Sequence, residues 1–140
     1  MKNTLKIALI FLISTSFQLK SNAQRTVTYK TFLIKKSIDK TEWENVPFAN
    51  CIIVQDLDKL TTTIYKGSIK LIYAGYDVDL PTSDPKIGTT YISKCIDNEG
   101  KECVLQQIIW NGNLMGTSTI YINYPSLSIS YDADIISHSN

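Results

Sequence analysis

The sequence predicts an all-β fold, an antiparallel up-and-down meander of about eight strands that closes into a small barrel. Three observations indicate this class. Apolar and polar residues alternate in short runs, no segment keeps the 3.6-residue period of a helix, and most connections between the runs are short. Short connections make neighbours in sequence neighbours in the sheet. Pairing the first strand with the last would then remove the two exposed edges of the meander.

The alternating runs define the candidate strands. Their residues are rich in Val, Ile, Thr and Tyr, which favour a pleated, half-buried surface. The runs are Arg25–Ile34, Cys51–Val54, Leu60–Lys66, Ile69–Tyr73, Thr89–Ile96, Glu102–Trp110, Ile120–Tyr124 and Leu127–Tyr131, with Ile135-Ile136 as a candidate extension of the last. We expect Lys35–Pro47 to be a connection with one helical turn near Thr41, Asp77–Gly88 to be a long loop, and Ser137–Asn140 to be a tail.

A hairpin centred on Asn98–Gly100 carries the clearest local signal. In a three-residue loop, Gly100 occupies the left-handed position of a type I turn followed by a G1 bulge. Asp97 is then expected to lie opposite Lys101. The register of the two strands around this turn follows from that single assignment.

The same register places Cys95 opposite Cys103. Directly opposed β carbons lie roughly 4.5–5.5 Å apart, close to the separation that a disulfide requires. We therefore predict a Cys95–Cys103 disulfide, the alternative being two small buried side chains that never bond. Of the three cysteines, Cys51 would remain, either buried in its strand or available for an intermolecular bridge.

A second tight turn is predicted at Asn111–Asn113. A two-residue loop would pair Ile109 with Leu114, whereas a three-residue loop would pair Trp110 with Leu114. Burial favours the three-residue loop, because it gathers apolar side chains on one face. These are Val104, Ile108, Trp110, Leu114, Ile120 and Ile122.

The first 23 residues have the pattern of a signal peptide. Lys2 and Lys6 form a basic region, Ile7–Ile13 is a short apolar core, and Ser21–Ala23 supplies the small residues that a signal peptidase reads. We expect cleavage after Ala23 and a single exported domain over 24–140, periplasmic or secreted. An uncleaved anchor is the alternative.

The charge of the mature chain indicates no polyanionic partner. The whole chain has 14 basic and 13 acidic residues. Removing Lys2, Lys6 and Lys20 leaves 11 basic against 13 acidic residues. A nearly neutral domain gives no reason to expect nucleic acid or, after cleavage of the signal, a membrane as partner.

Catalytic groups are scarce. His138 is the only histidine and lies three residues from the end. It is therefore a poor base or metal ligand for the mechanisms that need a positioned imidazole. Asp77, Asp79 and Asp84 could offer oxygen ligands to calcium, but they lack the ordered spacing of a calcium loop. We expect no enzyme activity, no metal and no cofactor.

Aromatic side chains on the strands suggest a binding surface. A barrel of about eight strands is either filled by side chains or holds one small ligand, and tyrosine offers a cavity both an apolar face and a polar tip. The candidate ligand-binding residues are Trp43, Tyr65, Tyr73, Tyr91 and Tyr121. A packed interior, with Trp43 plugging one end of the fold, is the alternative.

Three segments carry a resemblance to a group of proteins. Val54–Tyr65, Cys95–Cys103 and Tyr121–Tyr124, together with a leader that ends in Asn22–Gln24, resemble small exported proteins of Bacteroidetes. Those proteins are similar in outline to lipocalin-like, or calycin-like, β-barrels. The resemblance implies a single barrel-like domain and supplies no catalytic residues.

Two functions follow as expectations. The first is a non-catalytic barrel that binds a small apolar or amphipathic ligand near Trp43, the loop Asp77–Gly88 and the strand tyrosines. The alternative is a structural or protein-interaction module that acts through a sheet edge or through Cys51. A closed barrel with a cavity would favour the first, and an exposed Cys51 with an open edge the second.

Overall fold

The computed structural model describes residues 24–47, 50–111 and 117–139. The predicted signal peptide lies outside this range. The described residues form ten strands and no helix. They therefore contain no helix that is long and apolar enough to cross a membrane. The strands are β1 (Thr26–Ile38), β2 (Glu44–Asn45), β3 (Ile52–Asp56), β4 (Thr61–Lys66), β5 (Ile69–Val78), β6 (Thr82–Asp84), β7 (Gly88–Asp97), β8 (Glu102–Trp110), β9 (Thr117–Asn123) and β10 (Leu127–Ser139).

Eight of the strands form a closed antiparallel barrel. Their order is β10-β9-β8-β7-β5-β4-β3-β1, and β1 pairs again with β10. The short strands β2 and β6 attach to β1 and β7. The fold class predicted from the sequence is therefore confirmed, including the pairing of the first strand with the last.

The closing seam between β1 and β10 runs from Thr26 opposite Ser139 to Ile38 opposite Leu127. Its register shifts twice along β1, and the second shift falls at Phe32, whose side chain is half exposed. This irregularity returns Ile34 to the interior. The predicted C-terminal tail is wrong over 137–139, because these residues continue β10 along the start of β1.

The β7–β8 hairpin has the predicted register. The Asp97 amide donates to the Lys101 carbonyl at 2.9 Å, and Gly100 has a φ of 82°. Cys95 lies directly opposite Cys103. The three-residue loop and its left-handed glycine are thus confirmed.

The β8–β9 hairpin differs from the prediction. Ile109 lies opposite Ser118, so both predicted registers, with Ile109 or Trp110 opposite Leu114, are wrong. Leu114 lies outside the described residues. The Asn-Gly pair is a strong local signal for a two-residue turn, but the register of the described strands does not follow it.

This change of register also reverses the predicted face. Ile122 lies opposite Leu105 and points inward, whereas Val104 and Ile108 lie on the outer surface. An odd shift along a strand moves every side chain to the other face. The predicted single face that combined Val104, Ile108 and Trp110 with Ile120 and Ile122 is therefore wrong.

Two predicted connections contain more structure than expected. Asp39 and Lys40 both have positive φ, which makes a left-handed turn in place of the helical turn predicted near Thr41. The predicted loop Asp77–Gly88 includes the end of β5, all of β6 and the first residue of β7.

The interior has two parts. At the end that holds the β7–β8 turn, apolar and aromatic side chains fill the barrel. We call this part the filled half; it comprises Cys51, Ile53, Ile64, Tyr73, Cys95, Cys103, Ile122 and Tyr131, all buried. The other end, which holds the β3–β4 turn, is less completely filled and contains the candidate site.

Candidate ligand-binding cavity

A cavity of about 270 Å³ occupies the second part of the interior, which we call the open half. The register of the strands determines which side chains form its walls, since residues directly opposite each other on adjacent strands face the same side of the sheet. Its inward-facing lining consists of Val27, Tyr29, Gln55, Thr62, Val78, Tyr91, Ser93, Leu105, Gln107 and Ile109.

Burial distinguishes the floor of the cavity from its mouth. Tyr29 and Gln107 are 2% and 5% exposed and lie deep in the barrel. Leu60, Val78 and Tyr91 are 49%, 49% and 39% exposed and surround the entrance. The cavity therefore has a polar floor and a largely apolar rim that is open to solvent.

The floor is a hydrogen-bonded network centred on Gln107. Its Nε2 donates to the Tyr29 hydroxyl at 3.0 Å and to Ser118 Oγ at 3.3 Å, and its Oε1 accepts from Gln55 Nε2 at 2.9 Å. Gln55 Nε2 also lies 3.4 Å from Thr62 Oγ1. Buried polar groups are stable when they are paired in this way.

The network carries no net charge. Burial raises the pKa of the Tyr29 phenol, an effect that the hydrogen bond from Gln107 partly opposes. Tyr29 is therefore neutral at physiological pH, like the two glutamines. A ligand that reaches the floor meets neutral hydrogen-bonding groups only.

Leu60 is held at the mouth in an unusual conformation. Its φ is 54°, a left-handed value that bulky side chains rarely adopt. The Gly75 amide donates to the Leu60 carbonyl at 2.8 Å, and a β carbon at Gly75 would lie 3.0 Å from that oxygen. The close approach of β5 thus depends on glycine and fixes an apolar side chain at the rim.

The carboxylate of Asp56, the charged residue among the described lining residues, is hydrogen-bonded within its own turn. The Asp56 carboxylate accepts hydrogen bonds from the Asp58 and Lys59 amides at 3.1 and 3.0 Å, and also contacts Gln24 Nε2. Lys59 Nζ lies 3.8 Å from it. Asp56 therefore stabilises the β3–β4 turn, and its carboxylate oxygens already have hydrogen-bond donors.

One of the five predicted ligand-binding residues lines this cavity. That residue is Tyr91, which lies opposite Gln107. Tyr73 is inside the barrel, but it is 3% exposed and packs in the filled half.

The other three predicted residues lie on the outer surface. Trp43 and Tyr121 form an edge-to-face pair there, with ring centroids 6.1 Å apart. Tyr65 is 40% exposed, and Lys70 Nζ lies 5.8 Å from the centre of its ring. Trp43 thus neither lines the cavity nor plugs an end of the barrel. It covers the outside of the sheet, because its segment follows the outward-facing edge of β1.

Sequence reasoning missed Gln55, Gln107 and Tyr29. A signal for the glutamines is present, since Gln55 follows the inward Ile53 by two residues and Gln107 lies between Leu105 and Ile109. A neutral polar residue at an apolar position of a period-2 pattern indicates a polar group inside the barrel.

The three cysteines are free thiols in the structure, and all are buried. Burial, followed by the proximity of Cys95, raises the pKa of Cys103 to about 11. The Cys51 amide donates to Thr31 Oγ1 at 2.7 Å. The opposition of Cys95 and Cys103 is as predicted, and the disulfide itself stays a prediction.

A second cleft, of about 800 Å³, lies at the opposite end of the barrel. Its walls include Tyr73, one of the five predicted ligand-binding residues, and the exposed Glu99 and Lys101 of the β7–β8 turn with Glu102 at the start of β8. The Tyr124 hydroxyl donates to the Asp97 carboxylate at 2.7 Å beneath it. This cleft is wide and bordered by solvated charges, so we regard the smaller cavity as the better candidate site.

The remaining comparisons give no further assignment. Within residues 24–47, 50–111 and 117–139, no three His, Cys, Asp or Glu side chains are placed to hold a metal ion. Comparison with protein-family models, curated proteins and solved structures gives no match.

Proposed function

We propose that this chain is an exported, non-catalytic barrel protein that binds a small apolar or amphipathic ligand in the open half of its interior. The observation that carries the proposal is the cavity of about 270 Å³, with an apolar rim and a buried polar floor. Concave sites with mostly apolar walls and a few placed polar groups are typical of small-molecule binding.

The closed antiparallel barrel is consistent with a calycin-like outline and supports the proposal. Its resemblance to small exported Bacteroidetes proteins, and hence its periplasmic or secreted location, belongs to the same proposal. The absence of a catalytic role rests on the sequence, where the only histidine is His138. That residue is exposed and pairs with Val27 at the end of β10.

The alternative, a structural or protein-interaction module, receives less support. Cys51 is 1% exposed, so an intermolecular disulfide there would require the barrel to open. The strands outside the closed barrel, β2 and β6, have two and three residues, and edges this short are poor templates for strand addition.

A cavity-blocking variant tests the proposal. Ser93 faces the cavity opposite Leu105, so Ser93→Phe should fill the space with an aromatic ring. We expect isothermal titration calorimetry to detect binding of 1-octanol to the unaltered protein and at least about a tenfold weaker affinity in Ser93→Phe, because the ligand's apolar surface then stays in water.

Thr90→Phe is the matched control. Thr90 lies on the same strand opposite Ile108 and faces outward. It should bind 1-octanol like the unaltered protein. Failure of the unaltered protein to bind, or equal binding by Ser93→Phe, would contradict the proposal.

A further inference from the structure

The floor of the cavity has hydrogen-bonding capacity that the protein does not use. Gln55 Nε2 donates to Gln107 and Thr62, but Gln55 Oε1 accepts no hydrogen bond from the described residues. Among the described residues, Ser37 Oγ is the one fully buried side-chain oxygen or nitrogen without a hydrogen-bond partner, so Gln55 Oε1 is not fully buried. Because Gln55 lines the cavity, its carbonyl oxygen is available to a bound ligand.

A donor lies beside this acceptor. The Tyr29 hydroxyl accepts from Gln107 Nε2 at 3.0 Å, interacts with the Ser118 hydroxyl, and still carries its own proton. Tyr29 and Gln55 both line the cavity on the adjacent strands β1 and β3. The floor can thus both donate to and accept from one bound group.

The floor provides no counter-charge for an ionic ligand. Asp56 is the one charged residue among those that line the cavity, and its carboxylate is engaged by the amides of its own turn. No lysine or arginine within the described part of the chain lines the cavity. A buried carboxylate or ammonium group without a partner is strongly disfavoured, whereas a neutral group that completes hydrogen bonds is not.

The size of the cavity limits the ligand further. At about 30 Å³ for each water-sized group, 270 Å³ accommodates about nine such groups. The walls between floor and rim are apolar at Leu105 and Ile109, and the rim adds Val78 and Leu60. A ligand with a polar head at the floor and a short apolar chain toward the mouth fits this arrangement.

We infer that the cavity selects an uncharged amphipathic molecule of about ten non-hydrogen atoms, whose head group both donates and accepts hydrogen bonds at Tyr29 and Gln55. A primary amide is the simplest head of this kind. The inference rests on the proposed function and specifies the chemistry of its ligand. It also excludes a fatty-acid anion of the same length as the preferred ligand.

Three probes of equal chain length test the head group in the full-length protein as purified: octanamide, octanoate and octylammonium. We expect calorimetry at neutral pH to show octanamide binding at least about tenfold more tightly than either ion, because each ion would bury an unpaired charge. Equal or tighter binding of octanoate or octylammonium overturns the head-group inference and leaves cavity binding standing. Failure of all three and of 1-octanol overturns the proposed function as well.

Gln55→Glu supplies the missing counter-charge at the floor. This variant should invert the order, so that octylammonium binds more tightly than octanamide. Gln106→Glu is its matched control. Gln106 is adjacent to Gln107 in sequence but faces outward from β8, so this variant should bind the three probes in the same order as the unaltered protein. An unchanged order in a folded Gln55→Glu would contradict the inference.

Gln55→Leu covers the case in which a buried glutamate prevents folding. It removes the acceptor without adding charge. We expect it to weaken octanamide binding while leaving binding of 1-octanol, whose hydroxyl can use Tyr29 alone, less affected. Parallel losses for both probes would assign Gln55 a purely structural role and overturn the inference.

Discussion

The filled and open halves of the interior are built from the same strands but differ in side-chain volume and polarity. In the filled half, Ile53 and Ile64 are fully buried and pack against aromatic rings and thiols. In the open half, the corresponding inward positions of β3 and β4 are Gln55 and Thr62. A step of two residues along each strand, from Ile53 to Gln55 and from Ile64 to Thr62, thus separates packed hydrocarbon from the hydrogen-bonded floor of the cavity.

The comparison indicates how an eight-stranded barrel divides two tasks. Dense apolar packing in one half stabilises the fold, since full burial of an isoleucine contributes roughly 1.5–3 kcal/mol. The other half leaves space and neutral polar groups, which favour a ligand more than they favour folding. Stability and binding should therefore respond to different substitutions.

The largest effect should come from the filled half. Ile64→Ala should lower the free energy of unfolding by about 2–5 kcal/mol, because the space left by the side chain cannot be refilled. Urea denaturation measures this change. Ile96→Ala is the control; Ile96 is 41% exposed on the outer surface, and its loss should stay within about 0.5 kcal/mol. Equal losses in the two variants would refute the assignment of the filled half.

The predicted Cys95–Cys103 disulfide would reinforce the same half. Closing so short a loop should stabilise the protein by about 2–3 kcal/mol, and reductant should remove that gain. Mass spectrometry of the unreduced protein should show a loss of about 2 Da, which Cys103→Ser abolishes and Cys51→Ser retains. Alkylation of all three cysteines in the denatured, unreduced protein would rule out the bond.

The low thiolate content of the folded protein limits when the disulfide can form. Burial, with Cys95 nearby, raises the pKa of Cys103 to about 11, so little thiolate is present in the closed barrel at neutral pH. Because the thiolate is the reactive form, oxidation is expected before the barrel closes. Oxidant added to the reduced, folded protein should accordingly act slowly.

The polar floor should respond more weakly. Gln107→Leu removes the central side chain of the network together with its hydrogen bonds to Tyr29 and Gln55, which should cost about 1–3 kcal/mol of stability. The double variant Gln55→Leu/Gln107→Leu should lose less than the sum of the two single variants, because both partners of one hydrogen bond disappear together. Additive losses would show that the two side chains act independently.

The smallest effect concerns acid stability at the end of the filled half. The hydrogen bond from the Lys101 amide, then that from the Tyr124 hydroxyl, lowers the pKa of Asp97 below its ordinary value. A depressed folded-state pKa contributes stability above the unfolded value, about 3.9, and loses it as the pH falls through the folded value.

Asp97→Asn should therefore flatten part of the fall in urea midpoint below about pH 4. Above that pH the slopes of the two proteins should be parallel. Glu102→Gln on the same turn is the control, since Glu102 is exposed. Identical acid slopes for Asp97→Asn and the unaltered protein would contradict this role of Asp97.

Local signals in the sequence were sufficient for much of the fold. The alternation of β4 and the Gly100 turn depend on neighbouring residues, and both are confirmed. The predicted β8–β9 register is wrong. Asn111-Gly112 is a strong signal for a tight turn, but the register of the two strands depends on how the whole barrel pairs. That pairing is set by closure of the whole sheet, which no local pattern contains.

The candidate site was less accessible to sequence reasoning. Tyrosine is a candidate for a ligand cavity because its side chain is amphipathic, yet amphipathic side chains suit the outer wall equally well, as Tyr65 and Tyr121 demonstrate. A cavity residue and an outer-wall residue differ only in whether their position in the strand alternation points into or out of the barrel. The alternation along β3 and β8 indicates Gln55 and Gln107 as inward-facing, because their neighbours two residues away are apolar.

Methyl NMR during an octanamide titration tests the central comparison most directly. Isoleucine and leucine methyl groups report on both halves of the interior. We predict shifts at Ile109 and Leu105, which line the cavity, with Ile64 of the filled half unchanged. Shifts confined to outer residues such as Ile96, or equal shifts in both halves, would contradict the division of the barrel into a packed half and a binding half.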